Sequence, residues 1–404
     1  MPVFLLATLD TKGPEAAFVR DRLVELGVAC IVVDCGCLGA PSIAADISRE
    51  RVFESAGTTL AAMVAQGDRG AAVTKAAEGA RRIVEAAQAR HDVLGVIALG
   101  GSAGSTIGTA AMRALPIGIP KLMISTLASG QVRQYVGDKD ILMLNSIVDI
   151  AGINRISRAI LANAAAAMAG MVFHRKIETT NADRSLIAAS MFGVTTPCVQ
   201  RAREILEAAG YEVLVFHATG NGGQAMESLI AEGAIAGVLD ITTTELADEL
   251  VGGILSAGPD RLTAAAKRGV PQVVSVGALD MVNFGPRETV PAKFAERKFH
   301  IHNASVTLMR TTPEENAKLG AEIGRKAALA PSTTTILLPL RGVSAIDQAG
   351  KPFDDPAARE ALFAGIRGNH GSAPLVEADC HINDPAFAEA AAKKLLEMIQ
   401  VKRP

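Results

Sequence analysis

Apolar runs and amphipathic stretches take turns along this chain. Val3 to Leu9 is a continuous apolar run, broken by Asp10-Thr11-Lys12-Gly13, after which Pro14 suits the first position of a helix. Val19, Leu23 and Leu26 recur at helical spacing up to Gly27, and Ala29 to Val33 forms a second apolar run closed by Asp34. Strand, helix, strand in this order predicts a parallel pair joined by a crossover. A polar stretch from Gly36 to Gly70 follows, then a helical pattern over Thr74 to Ala89 and a strand over Val93 to Leu99. Gly100-Gly101-Ser102-Ala103-Gly104-Ser105-Thr106 opens the next helix. Further strands are predicted at Lys121 to Ser125 and Ile141 to Val148, and an Ala-rich helix from Ile153 to Met171.

The pattern then restarts. Leu186 to Met191 is a strand, Thr196-Pro197 starts a helix that ends at Gly210, and Val213 to Phe216 is the next strand. The segment ELGVACIVVDCG reads in register with AAGYEVLVFHATG, LGVIALGG with AGVLDITT, and GIPKLMIST with GVPQVVSVG. Matched segments lie roughly 140–180 residues apart, too far for a solenoid repeat. The fold class expected is α/β: two tandem Rossmann-like domains, residues 1–178 and 184–404, with mostly parallel sheets and a ligand cleft at the carboxyl ends of the strands. The charged stretch His174 to Arg184 is the expected linker.

Composition narrows the functions available. Net charge is −2 and only 3% of residues are aromatic, with no Trp, so neither a basic surface nor base-stacking platforms point to nucleic acid. The N-terminal run lacks a basic leader and reads as a buried strand, and no continuous apolar run reaches transmembrane length, so no membrane partner is expected. Five cysteines at irregular spacing do not form a disulfide framework; thiols in a cytoplasmic protein are the simpler reading. Cys35 and Cys37 have no second cysteine pair to complete a metal site, and His300 and His302 read as hydrogen-bonded side chains before metal ligands, so no metal site is expected in the protein itself.

The strongest chemical signal is the loop Gly100 to Thr106, which follows a buried strand and starts a helix. Gly100, Gly101 and Gly104 let backbone approach an anion, Ser102, Ser105 and Thr106 add hydroxyls, and the helix N-terminus adds partial positive charge. The loop is neither G-x-G-x-x-G nor a Walker A sequence, because no Lys follows its last Gly. A tight turn serving packing alone is the competing reading. Other strand ends converge on the same edge: Asp10, Thr11 and Lys12; Asp34, placed where a carboxylate accepts from ribose hydroxyls; and Ser125, Thr126 and Ser129. Lys12 would neutralise a phosphate, and Asp10 would hold Mg²⁺ through water. In the second half, His217 to Gly223 is another anion-loop candidate, and Thr242 and Glu245 have capping-box spacing. Asp240, Glu245, Asp280, His302 and Arg341 are the candidates there for catalysis on a small phosphorylated or carboxylated metabolite between the halves.

Several long segments, ATLDTKGPEAAFVRDRL, ALGGSAGSTIGTAAMRALPIGIPKLMISTLASG, SIVDIAGINRISRAILANAAAAMAGM, VLDITTTEL and HINDPAFAEAA, resemble the ATP-binding domain family named after the tomato mosaic virus resistance protein, whose bacterial members form an uncharacterised protein family. The resemblance covers essentially the whole chain. It implies two Rossmann-like halves that bind ATP, with Asp10 to Lys12, Gly100 to Thr106 and Ser125 to Gly130 as pocket walls. The expectation is a nucleotide-binding protein using ATP with Mg²⁺, and the apolar, Ala-rich helices point to a homo-oligomer. An enzyme on a small anionic metabolite is the alternative.

Overall fold

The computed structural model describes residues 1–130, 132–174 and 184–402. It divides into two compact units, Met1–Glu178 and Thr179–Pro404. Most of the expected linker lies outside the described residues.

The first unit runs β1 (Val3–Ala7), α1 (Leu9–Glu25), β2 (Cys30–Asp34), α2 (Arg49–Ser55), α3 (Leu60–Gln66), α4 (Arg69–Ala89), β3 (Gly95–Gly100), α5 (Ser102–Arg113), β4 (Lys121–Ser125), α6 (Arg133–Val136), β5 (Leu142–Asn145) and α7 (Arg155–Phe173). Its strands form one parallel sheet in the order β2-β1-β3-β4-β5. The pleat sends alternate side chains to opposite faces. Phe4, Leu6, Val96, Ala98 and Met123 pack under α4 and α5, with Ala76, Ala80 and Met112. Val3, Leu5, Ile97, Leu99 and Ile124 pack on the other face, with Val19 and Leu23 of α1 and Leu161 and Met168 of α7. Both faces of the sheet are therefore apolar, which is why its strands read as continuous apolar runs.

Several boundaries differ from the sequence pattern for local reasons. Helix α1 starts at Leu9, but Lys12 has φ −129° and ψ 20°, so Pro14 begins its regular part after a kink. The polar stretch 36–70 contains α2 and α3, capped by Ser48 and Thr59. Helix α4 starts at Arg69, not Thr74, because the Asp68 carboxylate accepts from the amides of Gly70 and Ala71. Helix α7 is long and apolar enough, by length and composition, to cross a membrane, although Arg155 and Arg158 interrupt its apolar run. In the fold its Leu161, Ala164, Ala165, Met168 and Ala169 are buried against the sheet and α1, which accounts for that apolar face.

The second unit repeats this plan. It runs β6 (Leu186–Met191), α8 (Thr196–Ala208), β7 (Glu212–His217), α9 (Asn221–Glu232), β8 (Ile235–Thr242), α10 (Glu245–Val251), α11 (Ala264–Arg268), β9 (Gln272–Gly277), β10 (Met281–Phe284), β11 (Phe299–Asn303), β12 (Val306–Arg310), α12 (Pro313–Ala327), β13 (Thr334–Pro339), α13 (Pro356–Arg367), β14 (Leu375–Ala378) and α14 (Pro385–Lys402). The main sheet has the order β14-β13-β9-β8-β6-β7 and is parallel; a three-stranded antiparallel sheet, β10-β12-β11, is inserted between β9 and β13. The segments that read in register in the sequence occupy equivalent places: β2 and β7 flank the first strand of each unit on one side, β3 and β8 on the other, and β4 and β9 come next. The chain is thus two Rossmann-like α/β domains in tandem.

Candidate functional site

In an open parallel sheet, ligands bind beyond the strand carboxyl ends where the strand order reverses, because the crossovers there leave in opposite directions. In the first unit that point lies between β1 and β3. A cavity of about 210 Å³ opens there, walled by Thr8, Asp10, Thr11 and Lys12 from the β1–α1 turn and Gly101, Ser102, Ala103 and Gly104 from the β3–α5 turn. Cys37, Leu38, Arg69, Val73 and Asp149 complete it.

The glycines of the β3–α5 turn divide their work. A methyl group on Gly100 would sit 2.8 Å from Gly104 Cα, and one on Gly104 would sit 2.9 Å from the Leu99 carbonyl oxygen. Those two are required for the tight turn, as the packing reading held. Gly101 is different: the nearest atom to an added methyl is Thr126 Oγ1 at 3.6 Å, and Gly101 borders the cavity. Ser105 N donates to Gly101 O, but no side chain caps α5. Among the described residues, the amides of Ser102, Ala103 and Gly104 have no acceptor. A helix leaves such first-turn N–H groups open for an external anion.

The acidic side chains serve two purposes. Asp34 is 1% exposed and accepts from Leu9 N at 3.1 Å and Gly36 N at 2.8 Å, so it laces the β1 and β2 turns together instead of facing a ribose. Burial pushes its carboxyl up. Asp10 accepts from Leu38 N through Oδ2 at 2.8 Å, while its buried Oδ1 has no partner and the residue borders the cavity. A carboxylate lining the same cavity as open amides fits a Mg²⁺ ion that takes its other ligands from phosphates and water. Lys12 also borders the cavity and donates to the Ile150 carbonyl.

The remaining predicted wall residues do not border the cavity. Ser105 and Ser125 are buried with their hydroxyls 2.6 Å apart, and Thr106 Oγ1 donates to Ser102 O. Thr126 N donates to Gly100 O, and Ser129 is exposed beyond β4. The sequence did not single out Arg69 or Asp149, and Cys37 drew notice only as half of an incomplete metal pair. Arg69 and Cys37 belong to the polar stretch and Asp149 follows the predicted strand Ile141 to Val148, and only the fold brings them to this edge.

The second unit closes its equivalent point. Thr195 Oγ1, after β6, meets Thr242 Oγ1, at the end of β8, at 2.7 Å in a buried contact. The glycine loop there does bind an anion, but the protein supplies it: Gly220 N and Gly223 N donate to Glu245 Oε1 at 2.7 and 3.1 Å. Glu245 therefore makes no capping box with Thr242; Thr244 stands at the cap of α10. Glu245 and Asp240 converge on the buried Arg261, which the sequence pattern did not single out. Its Nε lies 2.6 Å from Glu245 Oε2, and its two terminal nitrogens lie 2.6 and 2.7 Å from the Asp240 carboxylate. Glu227 adds a third carboxylate at 3.2 Å.

The five catalytic candidates do not form one constellation. Asp240 and Glu245 are spent on Arg261. Asp280 accepts from Ser344 Oγ at 2.8 Å, with its other oxygen unpartnered and its carboxyl raised to about 7 by burial and the nearby Asp347 charge. His302 is exposed on β11, which pairs only with β12 in its sheet. Arg341 is exposed and pairs with Asp379 at 2.6 Å. No cluster of three or more His, Cys, Asp or Glu side chains suited to a metal occurs among the described residues.

Fold and site together define a tandem α/β protein whose first domain presents an open cavity lined by polar residues at its switch point. The chain belongs to the uncharacterised protein family UPF0261: residues 1–177 match the family's N-terminal domain and residues 184–399 its C-terminal domain. It is 50% identical to a UPF0261 protein of Clostridium tetani over 400 residues, 98% of this chain and 99% of that protein. It is 46% identical to the ToMV resistance protein Tm-1(GCR237) of Solanum lycopersicum over 337 residues, which are 82% of this chain but only 45% of the tomato protein. Among solved structures, UDP-N-acetylglucosamine 2-epimerase from Rickettsia bellii aligns over 100% of this chain and 96% of its own, at 9% identity and a TM-score of 0.23, too weak a likeness to bear on function.

Proposed function

We propose that the first domain binds a nucleotide by its phosphate end, ATP together with Mg²⁺, and that the chain acts through that binding. One observation carries the reading: Ser102, Ala103 and Gly104, whose amides have no acceptor among the described residues, border the same cavity as Lys12, Arg69 and Asp10. Backbone donors, cations and a carboxylate are the set that a metal-bound phosphate chain requires. The bound Mg²⁺ would supply charge neutralisation of the phosphates, and Asp10 would hold it. The five cysteines are all free, which supports the reducing cytoplasm as the compartment.

Equilibrium binding of ATP with Mg²⁺ to the full chain tests the reading. Gly101→Val keeps the turn but puts a branched side chain at the cavity wall, so affinity should fall steeply. Equal affinity in both proteins removes the loop from the account. The cavity volume of about 210 Å³ lies below the roughly 300 Å³ at which small-molecule sites begin. That favours a second reading, a small phosphorylated metabolite. Inorganic triphosphate that binds as tightly as ATP would decide for it.

A further inference from the structure

We propose that Arg69 is the guanidinium clamp for the outermost phosphate of the bound anion, and hence the residue that counts phosphates. The inference rests on the phosphate-site reading above and assigns a specificity role within it.

Arg69 lines the cavity together with Lys12 and the α5 amides. The two cations differ in what they already hold. Lys12 donates to the Ile150 carbonyl. The Arg69 side chain makes no hydrogen bond or ion pair with any other described residue, although many arginines of this chain, for example Arg81, Arg82 and Arg297, pair with a carboxylate. Its place is electrostatically poor without a ligand. It is the first residue of α4, at the positive end of a helix of 21 residues, where a cation is disfavoured. Asp68, the only adjacent carboxylate in sequence, spends Oδ1 on the amides of Gly70 and Ala71. An exposed, unpaired arginine that starts a helix and lines this cavity is explained by an anion that binds there.

Arg69 and Asp10 both line the cavity and both act on Cys37. Burial raises the Cys37 thiol; Asp10 adds to that rise and Arg69 opposes it, so both charges act on the same wall of the cavity. Asp10 also holds the amide of Leu38, next to Cys37. A phosphate chain held by the α5 amides would thus lie in a cavity that Asp10 and Arg69 line from two other elements. Guanidinium suits this because its fork of N–H donors matches phosphate oxygens two at a time, which an ammonium cannot do.

The test measures affinities of the full chain for ATP, ADP, AMP and inorganic triphosphate with Mg²⁺, for wild type, Arg69→Gln and Arg69→Lys. Arg69 is exposed, so both variants should melt like wild type. Arg69→Gln should weaken ATP and triphosphate by about tenfold or more, ADP less, and AMP least; Arg69→Lys should fall between. Equal losses for all the phosphate ligands, or no loss for any, would overturn the clamp. If wild type binds triphosphate but no nucleotide, the nucleotide reading fails while the clamp is still judged on triphosphate. If wild type binds none of them, both fail.

Discussion

The hydroxyls of Ser105 and Ser125 meet at 2.6 Å where neither is accessible to solvent. This contact ties the first turn of α5 to the end of β4. Ser125 Oγ also accepts from Leu127 N at 3.0 Å, and Ser105 O accepts from Thr109 Oγ1 at 2.7 Å. Both serines lie at the predicted site edge, yet they hold the turn from behind. Ser105→Ala leaves a buried hydroxyl short of a partner, at a cost of about 1–3 kcal/mol. Thermal melting should show that loss, while affinity for the pocket ligand should change much less than in Gly101→Val. A Ser105→Ala protein that melts normally but binds poorly would make the serine a ligand after all.

Arg261 neutralises Asp240, Glu245 and Glu227 in the interior of the second domain. Removing the cation strands buried carboxylates, a change that costs about 3–5 kcal/mol. Arg261→Met should therefore lower the urea midpoint of the second domain strongly. Adding Asp240→Asn and Glu245→Gln to that variant should recover part of the loss, because the stranded charges are gone. A single mutant as stable as wild type would show that the network carries little.

Two further buried carboxyls make stability depend on pH. Asp248 is pushed up to about 7, chiefly by burial, although Asn283 donates to it at 2.7 Å; Asp280 is raised to about 7 as well. Each group binds its proton more tightly in the fold than in the unfolded chain, whose value lies near 3.8. Between those values the native state holds more protons, so the stability these groups contribute falls as pH rises from about 4 to 7. Urea midpoints measured at pH 5.5 and 8 should differ less in Asp248→Asn and Asp280→Asn than in wild type. An unaltered pH dependence in both variants would contradict the raised values.

The sheet and the glycine turn were legible because their signals are local. Lys121 to Ser125 and Leu186 to Met191 are apolar runs bounded by turn residues, and both strands have those limits in the structure. The tandem plan was legible because equivalent strands keep similar sequences. What escaped depends on distance. Arg69 lies 32 residues before Gly101 in sequence and reaches the pocket only through the placement of α4. Helices α2 and α3, at seven residues each, are too short to show a periodic apolar face. Glu245 read as a cap because spacing alone cannot reveal that Gly220, Gly223 and Arg261 claim its carboxylate.

Asp34 gives the sharpest contrast between position and role. It ends β2, where a ribose-binding carboxylate sits in dinucleotide folds, but its Oδ1 is committed to the amides of Leu9 and Gly36. Those bonds fix the start of α1 and the turn that carries Cys37 and Leu38 into the cavity wall. Asp34→Asn removes the charge that strengthens both bonds, so the wall loosens and affinity falls for every ligand alike. The ratio of ATP to 2′-deoxy-ATP affinity should stay at the wild-type value, since no contact to the 2′-hydroxyl is lost. Competition binding with the two nucleotides measures that ratio directly, and a selective loss of ATP over its deoxy form would return Asp34 to the ribose.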